Sequence, residues 1–270
     1  MIDSNKQTAD LVDICHRLYA RGFVTATDGN VSARLENGNF LTTRTSINKG
    51  MVTAGDLVEV DPHGNPISQS DIQNPQSDGR DLKSAAARPS TEIGMHLYIY
   101  SRRPDVHAVV HAHPTYATGF AAARQPLNEC LFPEVIVGLG AIPLAVYATP
   151  STEEIAQSLA PFVSRADAIL LANHGVVTYG KDLFDAYFKM EKVEHASHIT
   201  FVARMLGGET PLSSEDVEKL RAISQKSYGK DFTGKLACEP GDPKADNLLQ
   251  TPTDEEIREL VRQMIGGARR

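Results

Sequence analysis

The sequence has no tryptophan, only three cysteines in 270 residues, and an aromatic content of 6%. Cys15, Cys130 and Cys238 lie far apart, which suits a reducing cytoplasm and gives no sign of a disulfide framework. No pair of them forms C-x-x-C, so a thiolate zinc site is not expected. Positive charge is also scarce: Lys and Arg number 27 against 34 Asp and Glu, a net charge of −7. Such a chain is not built to grip nucleic acid or an anionic membrane, and any anion it binds must be held by a local site. No apolar run approaches the ~20 residues of a membrane span. The opening stretch MIDSNKQTAD lacks the basic-then-apolar pattern of a signal peptide. Internal repeats and low-complexity tracts are absent.

What is present is an alternation of helical and strand patterns. In TADLVDICHRLYARG, Leu11, Ile14, Cys15 and Leu18 follow the spacing of an amphipathic helix that ends at Gly22. NVSARL, NFLTT and DLVEVD read as short strands, joined as hairpins by Gly and Asn turns. Residues 68–88 are polar and irregular and read as a long loop. STEIGMHLYIYSRR reads as a helix that stops before Pro104, VHAVVHAH as a strand, and the stretch from Pro114 as a helix. EVIVGL and IPLAVY read as strands, STEEIAQSLAPFV as a helix and DAILLANHG as a buried strand. DLFDAYFKMEKVEHASHITFVARMLGG reads as a long helix. The mixture indicates one α/β domain. The character changes near residue 236, where CEPGDPKADNLLQTP looks like a linker. The expected organisation is a domain over 1–235, a linker over 236–251 and a separate helix over 252–270.

The chemistry concentrates in three places. His111 and His113 alternate on a strand pattern that Pro114 closes, so both side chains point to one face, ~7 Å apart along the chain. Two imidazoles so placed can converge on one metal ion at ~2.1 Å per bond; equally, they can be two surface histidines on a strand rim. His174 follows an apolar run and precedes Gly175, which lets the backbone turn close by. It is either a third ligand or a turn histidine. Three neutral imidazoles suit Zn²⁺ with a fourth position open. Glu92 is the candidate carboxylate, although its place at a helix start is also explained by capping or by the helix dipole. His96, one turn later, reads as packed or hydrogen-bonded. His107 falls on the strand alternation but too early to reach the pair, and His16, His63, His195 and His198 have no supporting context.

These pieces resemble the class II aldolase/adducin family, closest to its fuculose-phosphate aldolase branch. The matching stretches are DGNVSAR (28–34), LTTRTSINKG (41–50), RPSTE (88–92), RPDVHAVVHAHP (103–114) and LLANHG (170–175), in the family's order. SSEDVEKLRAISQKSYG resembles the C-terminal segment of the same branch, so the resemblance covers about residues 8–235. It implies a three-layer α/β/α fold with a mixed central sheet. It also implies a homotetramer with active sites shared between subunits. By that resemblance His111, His113 and His174 are the Zn²⁺ ligands, with Mn²⁺ or Co²⁺ as alternatives, and Glu92 is the acid/base. Gly29, Asn30, Thr45, Ser46, Ser90 and Thr91 hold a substrate phosphate, and Tyr228 reaches a neighbouring subunit's site. The implied reaction cleaves a ketose 1-phosphate to dihydroxyacetone phosphate and a small aldehyde such as lactaldehyde. A sugar-phosphate 4-epimerase, in which Asp tends to replace the Glu, and a decarboxylase or dehydratase on the same scaffold are the alternatives. A non-catalytic adducin-like protein would lack the three histidines. Ser46 stands where the family often has Gly, and Thr91 where it often has Ser. A further tyrosine of the fuculose branch falls near Cys130.

The stretch PTDEEIRELVRQMI (252–265) carries a capping box at Thr253 and Glu256. Ile257, Leu260, Val261, Met264 and Ile265 make one apolar stripe. So short a helix is marginal alone in water and must dock on something. One reading packs it on its own tetramer. The other notes its resemblance to the encapsulation peptides that carry enzymes into bacterial microcompartments, where it would bind a shell protein. On the second reading, deleting 240–270 leaves oligomer and activity intact but abolishes co-assembly with shell proteins. Loss of solubility on deletion would support the first.

Overall fold

The computed structural model describes residues 4–67, 88–228 and 235–241; the side chains of Ser4, Ser227 and Tyr228 are not described. The helix over 252–270, the linker from 242 onward and nearly all of the loop over 68–88 lie outside the described residues. Helix α1 (Ser4–Ala20) precedes strands β1 (Asn30–Arg34), β2 (Phe40–Thr43) and β3 (Leu57–Val60). Then come α2 (Ile93–Arg102), β4 (Ala108–Ala112), α3 (Thr115–Ala122), α4 (Pro133–Gly138), β5 (Leu144–Ala145) and α5 (Glu154–Leu159). The chain closes with β6 (Ala168–Leu171), β7 (Gly175–Gly180), α6 (Leu183–Met205) and α7 (Ser214–Tyr228).

The strands form one seven-stranded sheet in the order β3-β2-β1-β4-β7-β6-β5. Every pairing is antiparallel except the parallel β5–β6 pair at the edge, so the sheet is mixed. Alternate residues of each strand enter opposite layers. Val110 and Val176 pack with Leu11, Ile14 and Leu18 of α1, Phe120 of α3, and Tyr187 and Met190 of α6. Val109, Val177 and Tyr179 point the other way, onto Met95 and Ile99 of α2 and Ile155 and Leu159 of α5. This is the expected three-layer α/β/α arrangement. Both faces of β4 are covered, which is why AVVHA is buried throughout. Among the described residues no helix is long and apolar enough to cross a membrane.

The local readings depart from the structure in several places. EVIVGL is helical: Pro133 takes the first helical turn, where its fixed φ and missing N–H do no harm, and Glu134 follows it. That start overrides the β preference of Val135, Ile136 and Val137. IPLAVY contributes only Leu144 and Ala145 to the sheet, and Val146 and Tyr147 are exposed. DAILLANHG stops as a strand at Leu171. Ala172, Asn173 and His174 form a tight hairpin turn, with Asn173 at φ 56°, and the chain returns as β7, a strand the patterning did not separate. Asn is among the few residues that accept that backbone region readily.

A further departure concerns sulfur. Cys130 and Cys238 are joined as a disulfide, so the reading of three separate thiols is wrong for two of them. Sequence separation hid the pair: the fold brings residues 108 apart in the chain together beneath α4 and α7. Only Cys15 is free, buried in the core, and burial pushes its thiol up to about 12. Residues 236–241, read as the start of the linker, lie against the body. Leu236 exchanges backbone hydrogen bonds with Ala141 and Arg165, and Glu239 with Asn128 and Cys130. A cross-link closing so long a loop contributes about 2–4 kcal/mol, chiefly by restricting the unfolded chain. Reduction is therefore expected to lower the thermal midpoint by several degrees. The Cys130→Ser/Cys238→Ser protein should start at that lower midpoint and no longer respond to reductant; equal midpoints with and without reductant in the wild type would contradict the bridge.

Candidate metal centre and active site

The site forms where five chain segments meet along the edge of the sheet made by the strand ends, not by the outer strands β3 and β5. β1 begins there with Asn30, whose sheet partner is His111 near the end of β4. β2 ends there at Thr43, and the following Thr45 N–H donates to the Arg88 carbonyl at 2.9 Å. The Ser90 N–H in turn donates to the Thr43 carbonyl at 3.1 Å, so the stretches 43–46 and 88–91 run side by side. The turn between β6 and β7 delivers His174 to the same edge. Three ligand atoms, one from each of His111, His113 and His174, lie within 4.8 Å of one another. The alternative in which His111 and His113 are surface histidines on a rim is excluded: His111 is fully buried.

The orientation of His111 follows from its surroundings. Its Nδ1–H donates to the Val176 carbonyl of the neighbouring strand at 2.9 Å. That bond assigns the tautomer and leaves the Nε2 lone pair facing the centre, the arrangement a metal ligand needs. His113 Nε2 lies 3.1 Å from His111 Nε2, and its main chain is tied to the Phe23 carbonyl. His174 turns Nε2 inward as well, while its Nδ1 is buried with no partner. Two glycines make room. A Cβ on Gly175 would stand 2.5 Å from His113 Cδ2 and 2.6 Å from the Ala112 carbonyl. A Cβ on Gly29, which has φ +71°, would stand 2.8 Å from the His111 carbonyl oxygen.

Glu92 occupies the N-cap position of α2, but its side chain caps nothing. It turns instead to the histidines, with Oε1 3.2 Å from His174 Nε2 and Oε2 3.5 Å from His111 Nε2. The Asn30 side-chain amide donates to Oε2 at 2.8 Å. The capping explanation for this carboxylate is thereby set aside. One and two turns along the same face of α2 stand His96 and Tyr100, both bonded to the Ser32 hydroxyl, at 2.7 and 2.9 Å. Glu92, His96 and Tyr100 thus meet Asn30 and Ser32 as a polar seam between helix and sheet. His96 is second to the site, as its spacing suggested.

Burial drives His111 well below the ordinary imidazole value, and the Glu92 carboxylate only partly opposes it. His113 is lowered for the same first reason, with His174 adding to the effect. Neutral imidazoles are what metal coordination requires. Burial works to raise the Glu92 carboxyl, but its value is lowered on balance by His111 and His174, a pull they exert only when protonated, and by the Asn30 amide bond, which holds the carboxylate whatever their state. The donor set therefore fits a divalent transition ion: three imidazole nitrogens within 4.8 Å of one another, with a carboxylate beside them.

Of the other expected residues, Asn30 and Ser90 are buried, Gly29 and Thr45 half-buried, and Ser46 and Thr91 exposed. Ser46 has φ 55°, the left-handed region that favours the glycine often found there, so this serine carries backbone strain. Tyr228 is the last residue of α7, and its side chain lies outside the described atoms. Cys130, in its disulfide, offers no group in place of a phenol. Sequence reasoning assigned no role to Asp28, whose carboxylate lies 3.9 Å from His113 Nδ1. It also missed the Val176 carbonyl, which no side-chain pattern reveals. A cavity of about 230 Å³ opens beside Glu92, lined by Thr91, Gly94, Met95, Ser151 and Thr152 among others.

The family model of the class II aldolase and adducin N-terminal domain matches residues 9–201. The chain belongs to this family. It is 32% identical to an L-fuculose phosphate aldolase of Methanococcus maripaludis, covering 74% of this chain and 98% of the relative. It is 31% identical to a 3-oxo-tetronate 4-phosphate decarboxylase of Pectobacterium atrosepticum, covering 72% and 83% of the two chains. The crystal structure of YgbL from Klebsiella pneumoniae, described as a putative aldolase/epimerase/decarboxylase, superposes with a TM-score of 0.68 at 30% identity. That match covers 80% of this chain and 98% of the other. This chain is accordingly a metal-dependent lyase of the class II aldolase type, with a three-histidine site.

Gly175→Ala is expected to push the His113 ring aside and weaken metal affinity about 10–100-fold, as losses of supporting contacts do. Metal analysis after dialysis, with an unchanged far-ultraviolet circular dichroism spectrum, reads this directly. Full metal retention would show that the ring of His113 is not needed where it stands.

Proposed function

We propose that the protein cleaves a ketose 1-phosphate of the L-fuculose-1-phosphate type to dihydroxyacetone phosphate and a small aldehyde such as lactaldehyde. The observation that carries the reading is the position of the Glu92 carboxylate, held by the Asn30 amide within 3.2 Å of His174 Nε2 and 3.5 Å of His111 Nε2. Zn²⁺ on His111, His113 and His174 suits this donor set, with Mn²⁺ or Co²⁺ as alternatives. Bound there, the ion supplies Lewis acidity for the negative charge that develops on the substrate oxygens. Glu92 takes and returns the proton at the reacting carbon. Asn30 keeps that carboxylate aimed. The substrate phosphate sits against the small hydroxyls and backbone N–H groups of Gly29, Asn30, Thr45, Ser46, Ser90 and Thr91. Tyr228 of a neighbouring subunit protonates or deprotonates the aldehyde oxygen, which requires a homo-oligomer, a tetramer by the family resemblance.

A second reading has a specific support: relatives named 3-oxo-tetronate 4-phosphate decarboxylase match at 29–31% identity over comparable lengths. Decarboxylation and retro-aldol cleavage both leave an electron pair on carbon, so one site serves either. The deciding experiment gives the zinc-loaded protein L-fuculose 1-phosphate and 3-oxo-tetronate 4-phosphate in parallel. Dihydroxyacetone phosphate from the first supports the aldolase; carbon dioxide from the second, with no dihydroxyacetone phosphate from the first, assigns the decarboxylase.

Glu92→Gln keeps the shape and loses the base. It should retain metal and substrate binding while exchange of the dihydroxyacetone phosphate C3 proton slows about 10²–10⁴-fold. Near-normal exchange, followed by nuclear magnetic resonance in deuterium oxide, would place the base elsewhere.

A further inference from the structure

Lys49 is 1% exposed. Its ammonium donates to two backbone carbonyls, Ile47 at 2.9 Å and Thr27 at 3.2 Å. Among the described residues no ion pair forms on it; burial lowers its value, and the carboxylates that oppose this, Asp28 and Glu92, act only through space. A buried ammonium held only by neutral carbonyls is costly, because its lost hydration is not repaid by a counter-charge. Something else must stand in for the missing anion.

Its position indicates what. The Thr27 carbonyl belongs to the turn that leads into Gly29 and Asn30. The Ile47 carbonyl follows Thr45 and Ser46. The Asn48 side chain accepts from the Gly50 N–H and starts the short 3₁₀ turn Lys49–Met51, which carries the lysine inward. One ammonium therefore ties together two of the three stretches read as the phosphate cradle, from behind. The other cations near those stretches are spoken for or wet: Arg44 is paired with Asp56 at 2.8 Å, and Arg88 is exposed.

We propose that Lys49 is the positioning cation of the phosphate site: it joins the 27–30 and 45–48 loops and supplies, through them, the positive charge that a phosphate dianion neutralises. The inference rests on the reading of those loops as the phosphate cradle. Lys49 does not touch the substrate; its charge, buried on its own side, acts across one layer of backbone toward a cradle whose outer residues Ser46 and Thr91 are exposed.

The test uses the full-length, metal-loaded protein. Lys49→Gln keeps a donor for the carbonyls and removes the charge; Lys49→Met removes both. Metal content, binding of inorganic phosphate by calorimetry at constant ionic strength, and KM and kcat on L-fuculose 1-phosphate are measured. Expected for Lys49→Gln are full metal content, phosphate binding weaker by about tenfold or more, and KM raised by a similar factor with kcat little changed. A purely structural lysine would not separate KM from kcat in this way. Phosphate binding by Lys49→Gln equal to wild type would overturn the proposal. So would a wild-type protein whose thermal midpoint is no higher in phosphate than in chloride of equal ionic strength, a measurement that needs no variant to fold. Lysine-dependent phosphate binding without release of dihydroxyacetone phosphate would uphold the role of Lys49 and overturn the aldolase reading alone.

Discussion

The hydrogen bond from His111 to the Val176 carbonyl is the constraint on which the site depends. It joins a fully buried imidazole on the central strand β4 to the adjacent strand β7. An uncharged ring in that place has one proton, and the carbonyl claims it. The remaining lone pair can then face only the interior of the site. The bond needs β7 to lie against β4 in register, which in turn needs the tight turn at Asn173. That same turn places His174. Two of the three candidate ligands are thus products of one hairpin packed against one strand.

The carboxylate depends on a different contact, the polar seam between α2 and β1. Asn30 and Ser32 alternate on the sheet face, two residues apart, while Glu92, His96 and Tyr100 recur every four residues on the helix. The two periodicities meet, so each sheet residue finds a helix partner. Burial keeps His96 neutral, its value lowered to about 4. The seam therefore carries a single charge, on Glu92, at its metal-facing end. Because α2 also packs Met95 and Ile99 into the core, the carboxylate is anchored by apolar burial as much as by hydrogen bonds.

Much of this was legible in the chain. The convergence of His111 and His113 held although β4 ends at Ala112, one residue before His113: their Nε2 atoms lie 3.1 Å apart. The class of fold followed from the mixture of helical and strand periods, and the family resemblance rested on short motifs that gather at one sheet edge. The parts that were not legible share a cause. Pro133 starting a helix through β-branched residues, the turn hidden inside LLANHGVV and the pairing of Cys130 with Cys238 all depend on what lies beside a segment in space. Lys49 was hidden for the same reason: a lysine in a polar loop looks solvated until the fold closes over it. The Glu92 alternatives, cap or catalyst, were separable only by seeing where the side chain turns.

The Cys130–Cys238 bridge also changes what a break in the chain means. The closed loop it defines holds α4, the β5–β6–β7 sheet edge with His174, and both long helices α6 and α7. His111, His113, Glu92 and Lys49 all lie before it. A single cut anywhere between residues 131 and 237 would sever the polypeptide without separating the pieces that build the metal centre. With the bridge intact the two parts remain one covalent molecule; with it reduced, a cut between 131 and 174 leaves only packing to hold His174 to its partners.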